Sequence, residues 1–338
     1  MGKIRVGVVF GGKSGEHEVS VRSAASIFRA LDKNKYEVEL LGVDKSGGWH
    51  RMDQRWLPAG TEMKSLPSGE KSLLPQEEKL DAVFPIIHGT YGEDGSLQGL
   101  LELMNVAYVG AGVLGSAVGM DKDIQKRLLI QAGILVAKFQ VINKIKKIKT
   151  NYPVYVKPVN MGSSVGVSKA KNEEELENAI KLAFKYDTKV IIEEEVKGRE
   201  LEVSVLGNDA PVASIPGEVI PKGHEFYDYE AKYIDENGAT LQIPARITKK
   251  QLTKIQKLAI KTFKILECSG MARVDMFMRP DGELIINEIN TLPGFTNISM
   301  YPKLWEASGL PYPELLDKLI ELAIEKKRQK DKLKRSYS

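Results

Sequence analysis

Arg273, Asp275, Glu288 and Asn290 lie on two apolar runs, Arg273-Val-Asp-Met-Phe-Met278 and Glu283-Leu-Ile-Ile-Asn-Glu-Ile-Asn290, flanking the turn signal Arg279-Pro-Asp-Gly282. Strand alternation places Arg273 with Asp275 on one face, and Glu288 with Asn290 on one face. A two- or four-residue hairpin loop would pair Arg273 with Glu288 and gather all four groups, whereas a three-residue loop would not. Carboxylate and amide oxygens with open positions suit Mg²⁺ held together with phosphate. Arg273 reads either as a cross-strand ion-pair partner or as an oxyanion stabiliser. Val274, Met276, Met278, Ile285 and Ile289 form the set expected to face the core, with Asn287 turned elsewhere.

Four further segments carry chemistry. In Tyr155-Val-Lys-Pro-Val-Asn-Met-Gly-Ser-Ser-Val-Gly166, Pro158 keeps Lys157 extended, so the lysine can project toward a phosphate. Gly162-Ser-Ser-Val-Gly166 then offers close backbone approach and two hydroxyls, although an ordinary Ser/Gly hairpin has the same composition. Phe10-Gly-Gly-Lys-Ser-Gly-Glu-His-Glu-Val-Ser20 runs from strand through glycine turn to helix, without P-loop or Gly-x-Gly-x-x-Gly spacing. Glu16 and Glu18 read equally as favourable first-turn charges or, for Glu16, as a holder of an ammonium group. His88, in Pro85-Ile-Ile-His-Gly-Thr-Tyr-Gly-Glu-Asp-Gly95, sits at a strand end before a glycine-rich loop; alone it reads as a satisfied structural histidine. Ile191-Ile-Glu-Glu-Glu-Val-Lys-Gly-Arg-Glu200 closes an apolar strand with acids that would ordinarily be solvated. Beside an adenosine, Glu193 would accept from the exocyclic amine and Glu200 would hold ribose hydroxyls.

The elements that must position these groups fall into an α/β pattern. Strands are expected at Val6–Phe10, Tyr36–Val43, Ala82–Ile87 and Val106–Val109, with helices at Ser20–Leu31 and Ser96–Met104, the rhythm of a parallel sheet with crossovers. Residues 45–78 read as surface loops. A second unit follows, with helices Ile124–Gln131 and Glu173–Phe184 and strands Val154–Pro158, Val190–Glu195 and Leu201–Gly207. Lys144–Lys149 reads as an exposed connector. Beyond Gly217 the sequence predicts a long Tyr-rich loop to about Thr240, helix Lys249–Leu266, strands Met271–Met278 and Glu283–Asn290, and a helix from Pro313. The expected units are 1–121, 122–216 and 217–338.

Bulk properties narrow the class. At 338 residues, 42% hydrophobic and 28% charged, the chain suits two or three packed globular units. No apolar run reaches the roughly 20 residues that span a bilayer, and the N-terminus has no signal-peptide pattern, so no membrane association is expected. A single cysteine, Cys268, excludes an internal disulfide framework and fits the cytoplasm. Much of the net charge of +4 sits in Lys326, Lys327, Arg328, Lys330, Lys332, Lys334 and Arg335. That run reads as a solvated, frayed helix end, and the near-neutral remainder argues against nucleic acid as a partner.

Taken in order, these segments resemble the D-alanine–D-alanine ligases, an ATP-grasp family. The resemblance runs from Val6 to about Leu310 and rests on residues 11–20, 88–103, Met120-Asp-Lys122, 162–166, Phe226-Tyr-Asp-Tyr-Glu-Ala-Lys-Tyr233 and Asn287-Glu-Ile-Asn-Thr-Leu-Pro-Gly294. It implies a three-part architecture: an N-terminal parallel-sheet domain, then two α+β subdomains clamping ATP. Lys122 and Lys157 would grip phosphates, with Ser163 and Ser164 closing over them. Glu193, Glu194, Val196 and Glu200 would hold adenine and ribose. Asp275, Glu288 and Asn290 would bind two Mg²⁺ or Mn²⁺, with K⁺ as an activator. Glu16 would hold the first D-alanine's ammonium near His88. Arg273 and the Gly294 amide would form the oxyanion site, and Ser299 would receive the second carboxylate. Lys232 and Tyr233 would ride on a closing loop, Tyr233 resembling the dipeptide-forming members.

The implied reaction activates one D-alanine as an acyl phosphate and joins it to a second, for peptidoglycan precursors, in a homodimer. Leu292 stands where small polar residues also occur in the family, and the stretch beyond Glu325 looks like an extension. Two rivals stand beside this reading. A different ATP-grasp carboxylate–amine ligase would find Glu16 and His88 expendable. A nucleotide-sensing or nucleic-acid-binding protein would use the basic tail, with steep salt dependence.

Overall fold

The first apolar run becomes β1 (Ile4–Gly11), which has parallel neighbours on both sides because both its faces are buried. The computed structural model describes residues 2–59, 62, 64–66, 79–221 and 238–334. Around β1, a sheet forms from β2 (Tyr36–Val43), β3 (Trp49–Met52), β4 (Ala82–Pro85) and β5 (Ala107–Tyr108), in the order β3-β2-β1-β4-β5. Only β3, which lies in the stretch read as loops, runs antiparallel, as an edge on β2. Between β1 and helix α1 (His17–Ala30) the chain turns through Gly11 and Gly12, both at positive φ. A side chain on Gly12 would run into Ile87, so the turn tolerates only glycine. The Ser20 hydroxyl accepts from the Gly11 amide and donates to the Ile86 carbonyl, pinning the turn to the end of β4.

Helices α2 (Ser96–Leu103), α3 (Val113–Met120) and α4 (Lys122–Gln131) follow, the last capped by the Asp121 carboxylate on the Asp123 and Ile124 amides. A second, antiparallel sheet, ordered β6-β9-β7-β8, joins β6 (Phe139–Ile142), β7 (Val154–Pro158), β8 (Ser168–Ala170) and β9 (Val190–Glu194). Helix α5 (Glu173–Ala183) buries Leu176, Ala179, Ile180 and Ala183 against it, an i, i+3, i+4, i+7 stripe.

The third sheet is also antiparallel. It contains β10 (Arg199–Gly207), β11 (Val212–Ala213), β12 (Gly217–Pro221), β13 (Ala239–Gln242), β14 (Gly270–Met278) and β15 (Leu284–Asn290). Strand β10 falls within the segment 122–216 but pairs along its whole length with β14, so the sheets part company near residue 195. Strand β12 likewise occupies the start of the stretch read as a long loop; residues 222–237 of that stretch lie outside the described residues. Helix α6 (Lys249–Ile265), opened by a Thr248/Gln251 capping box, packs Ile255, Ala259 and Phe263 on this sheet.

Helices α7 (Met300–Ala307) and α8 (Tyr312–Asp331) return to the beginning. Leu315, Leu316, Leu319 and Ile320 of α8 share a core with Val6, Val8, Phe10 and Phe84 of the first sheet. The basic end of α8 is not a frayed terminus. Lys326 donates to the Ser269 hydroxyl and lies 6.0 Å from the Tyr108 ring, while Lys330 pairs with Glu102. Burial, with the nearby Lys330 charge, lowers the Lys326 ammonium to about 8. Lys326 and Lys330 thus hold α8 against α2 and β5, whereas Lys332 and Lys334 are exposed, as expected for a solvated end. No helix among the described residues is long and apolar enough to cross a membrane.

Candidate active site

The polar face of the third sheet meets the second sheet across a cavity of about 490 Å³. Register sets that face. Glu202, Asp275 and Glu288 stand in one row across β10, β14 and β15, and Ser204, Arg273 and Asn290 in the next. The expected Arg273–Glu288 pairing is therefore corrected: Arg273 opposes Asn290, and Asp275 opposes Glu288.

The cause is a bulge. Toward the turn, Met276 opposes Ile286 and Met278 opposes Leu284, a parity that would carry Asp275 opposite Asn287 and turn Glu288 to the other face. One extra residue, Asn287, shifts the register and brings Glu288 and Asn290 round to Asp275. The same shift corrects the expected core set: Leu284 and Ile286, with Ile289, pack into the core beside Val274, Met276 and Met278, whereas Ile285 opposes Phe277.

Arg273 grips Asp275 with two bonds, Nε to Oδ1 at 2.8 Å and an Nη to Oδ2 at 2.7 Å, and pairs with Glu202 at 2.9 Å. Burial would weaken the guanidinium, but Asp275 and Glu202 overcome it and raise its pKa well above the ordinary value. The Asn290 amide donates to Asp275 Oδ2 at 2.9 Å.

A lysine cluster faces this row. Lys157 from β7 bonds Glu193 at 2.9 Å, and Lys126 from α4 reaches the same carboxylate at 3.1 Å. Burial alone would raise the Glu193 pKa; the two ammonium groups hold it at about 2. Lys122, one helical turn before Lys126, donates to the Met161 carbonyl at 2.7 Å and lies 3.7 Å from Glu288. Ser163 and Ser164 sit on the cavity wall, both at positive φ, a strained backbone of the kind that persists where a loop is held for a ligand. Glu194, Val196 and Glu200 line the far end.

Glu16 reaches the cavity through Ser163, whose hydroxyl donates to its carboxylate. Glu18 points elsewhere, to Lys45 and Ser65, each at 2.6 Å; against the effect of burial these bonds bring its pKa to about 2. The two glutamates that read alike in sequence are thereby separated. His88 is buried between Ser23, 3.2 Å from Nε2, and the Leu292 carbonyl, 3.1 Å from Nδ1. Burial lowers its pKa, opposed by the Glu16 charge. With Nδ1 donating to Leu292, the neutral ring accepts from Ser23 and ties the first sheet to the loop after β15. On that loop the Ser299 hydroxyl accepts from the Thr296 amide at 3.0 Å and packs against Gly294. Lys232 and Tyr233 lie outside the described residues.

Sequence reasoning missed three site residues. Lys126 carried a visible signal, four positions after Lys122 on one helix face. Glu202 is two positions after Glu200 on a strand. Glu93 gave none: its carboxylate accepts from the Gly89 amide at 2.5 Å inside its own loop, and burial together with the Glu16 charge raises its pKa to about 8.

The donor set suits a hard divalent cation. Asp275, Glu288 and Asn290 supply two carboxylates and an amide beside an open cavity, the short protein ligand list typical of Mg²⁺ shared with phosphates. Among the described residues, no group of three or more His, Cys, Asp or Glu forms a self-sufficient metal cage.

Two sheets closing on a nucleotide-sized cavity, with a lysine cluster facing the Asp275–Glu288 row, define an ATP-grasp ligase architecture, which the solved structures share. A D-alanine–D-alanine ligase from Coxiella burnetii superposes with a TM-score of 0.84 at 40% identity, covering 98% of this chain and 96% of that one. The VanG D-Ala:D-Ser ligase of Enterococcus faecalis gives 0.82 at 34% identity, covering 95% and 100%. In sequence, the D-alanine–D-alanine ligase of Oceanobacillus iheyensis is 51% identical over 99% of both chains. Family models for the D-ala D-ala ligase N-terminus and C-terminus match residues 5–111 and 127–321. The chain belongs to the D-alanine–D-alanine ligase family.

Proposed function

We propose that the protein condenses two D-alanines into D-alanyl-D-alanine with conversion of ATP to ADP and phosphate, supplying peptidoglycan precursors. The observation carrying this reading is the bond between Ser163, on the cavity wall, and the buried carboxylate of Glu16, at the entry of α1, beside the Asp275–Glu288–Asn290 face.

Lys157, Lys122 and the Ser163–Ser164 loop hold the triphosphate, while Glu193, Glu194, Val196 and Glu200 hold adenine and ribose. Asp275, Glu288 and Asn290 would hold two Mg²⁺ or Mn²⁺, which neutralise phosphate charge when bound. Glu16 holds the first substrate's ammonium, and that substrate's own carboxylate oxygen attacks the γ-phosphorus, so ADP leaves and an acyl phosphate forms. The second substrate's amine, its carboxylate on Ser299, loses a proton and attacks the acyl carbon. Arg273 and the Gly294 amide stabilise the resulting oxyanion, and phosphate departs as the peptide bond closes. The family resemblance gives Lys232 and Tyr233 the role of excluding water that would hydrolyse the acyl phosphate. K⁺ activation, a homodimer and a cytoplasmic location belong to the same proposal.

The test is ADP release with ATP, Mg²⁺ and D-alanine, with products identified by mass and D-serine or D-lactate in competition. D-Alanyl-D-alanine as the main product supports the reading. D-Alanyl-D-serine would move the chain toward the acceptor named for the Enterococcus faecalis structure. Folded, ATP-binding protein without D-alanine-dependent ADP release would end the ligase reading.

A further inference from the structure

Lys126 is among the largest fully buried side chains of the molecule and carries an ammonium group that no step above uses. Its Nζ makes two contacts: 3.1 Å to Glu193 Oε1, on the nucleotide side of the cavity, and 3.1 Å to the main-chain carbonyl of Asn287. Asn287 is the extra residue of the β15 bulge, the one with no counterpart in β14. A bulged residue leaves the ladder locally disrupted, so its carbonyl needs another partner to hold one orientation. Lys126 supplies that partner from α4, 161 residues away in sequence.

We infer that Lys126 is a positioning residue that holds the β15 bulge and thereby keeps Glu288 and Asn290 on the Asp275 face. Without the bulge, the Met276–Ile286 register would extend through the strand and turn Glu288 to the opposite face. The energetics fit that role. Burying an ammonium is costly, and burial lowers the Lys126 pKa despite the Glu193 charge. An apolar residue would fill the space without that cost, but it would leave the bulged carbonyl without its donor. The Lys126–Glu193 contact also links the bulge to the strand end that faces the nucleotide, so one side chain registers both halves of the cavity.

This inference rests on the metal–phosphate reading of the Asp275 face, and the experiment separates the two. ADP binding is measured calorimetrically with and without Mg²⁺ for the wild-type chain, Lys126→Met and Lys126→Arg, each first checked for a native circular dichroism spectrum. If Mg²⁺ does not tighten ADP binding to the wild-type chain, the metal–phosphate reading fails. Where it does, the Mg²⁺ enhancement is expected to fall by about tenfold or more in Lys126→Met, the usual effect of removing a group that orients metal ligands. Lys126→Arg is expected to retain it within about threefold, because the donor survives. Undiminished enhancement in folded Lys126→Met would overturn the inference. Should Lys126→Met not fold, folded Lys126→Arg decides: retained enhancement supports the role of the donor, and lost enhancement overturns it.

Discussion

Ser163 donates its hydroxyl to the carboxylate of Glu16, across 147 residues of sequence. One residue belongs to a strained loop after β7 and the other to the entry of α1, so the bond closes the cavity over the edge of the first sheet. Glu16→Gln keeps the shape but removes the charge that would hold an ammonium. Losing a hydrogen bond to a charged partner costs about 1.5–3 kcal/mol, so KM for D-alanine at the first subsite should rise roughly ten- to a hundredfold. Steady-state kinetics at saturating ATP measure this. An unchanged KM would leave Glu16 with no role beyond its bond to Ser163.

Arg273 distinguishes an ion pair from an oxyanion site. Arg273→Lys keeps one positive charge but not the two-pronged grip on Asp275. Turnover should fall by about 10²- to 10³-fold, the range seen when an oxyanion donor is removed, with ADP affinity little changed. If turnover and affinity fall together, Arg273 serves mainly to place Asp275.

Glu93 should leave a mark on stability against pH. Its carboxyl is raised from 4.5 to about 8, chiefly by burial. Between those values the native state holds a proton that the unfolded chain has released, so stability falls as pH rises through the window. Glu93→Gln retains an acceptor for the Gly89 amide and should flatten that slope. Thermal melts across the window check it; a slope identical to wild type would refute the assignment to Glu93.

His88 has the opposite signature. Its pKa is lowered, so its contribution is present above the ordinary histidine value and lost as pH falls. His88→Ala removes the link between Ser23 and Leu292 and should cost about 1–3 kcal/mol near neutral pH while weakening the acid sensitivity. Urea denaturation at two pH values tests both effects. Equal loss at both would assign the residue to packing alone.

The α8 lysines should matter unequally. Lys330 pairs with Glu102 at a partly exposed position, where ion pairs are worth about 0–1 kcal/mol. Lys326 is more enclosed and bonds Ser269, so Lys326→Ala should lower Tm more than Lys330→Ala. Calorimetry of the two variants ranks them; the reverse order would assign the docking to Lys330.

The legible parts of this fold are those in which local pattern and tertiary structure agree. Tyr36–Val43 and Val154–Pro158 form strands with the bounds that their apolar runs suggest. Helix α3 was not legible because Gly115 and Gly119 depress helix propensity. They are there for contact: a side chain on Gly115 would strike the Glu267 carbonyl, and one on Gly119 would strike Thr291. Of the site, alternation showed that Arg273 shares a side with Asp275 and that Glu288 shares one with Asn290, but not that the two sides coincide, which the bulge at Asn287 decides. Asn287 looks like any polar strand residue until the ammonium of a distant helix is seen to hold its carbonyl. Lys126 itself was overlooked because buried lysines are rare, not because its spacing was obscure.

The core shared by the first sheet and α8 bears on how the chain is made. A ribosome releases Val6, Val8 and Phe10 long before Leu315, Leu319 and Ile320, yet these side chains pack in one interior. Until α8 emerges, the first sheet must wait with an apolar surface uncovered. A nascent chain arrested before α8 should therefore bind a hydrophobic dye and be cut readily by protease within the first sheet, and both signals should vanish on release of the full-length chain. Helix α8 is the keystone of a sheet made long before it.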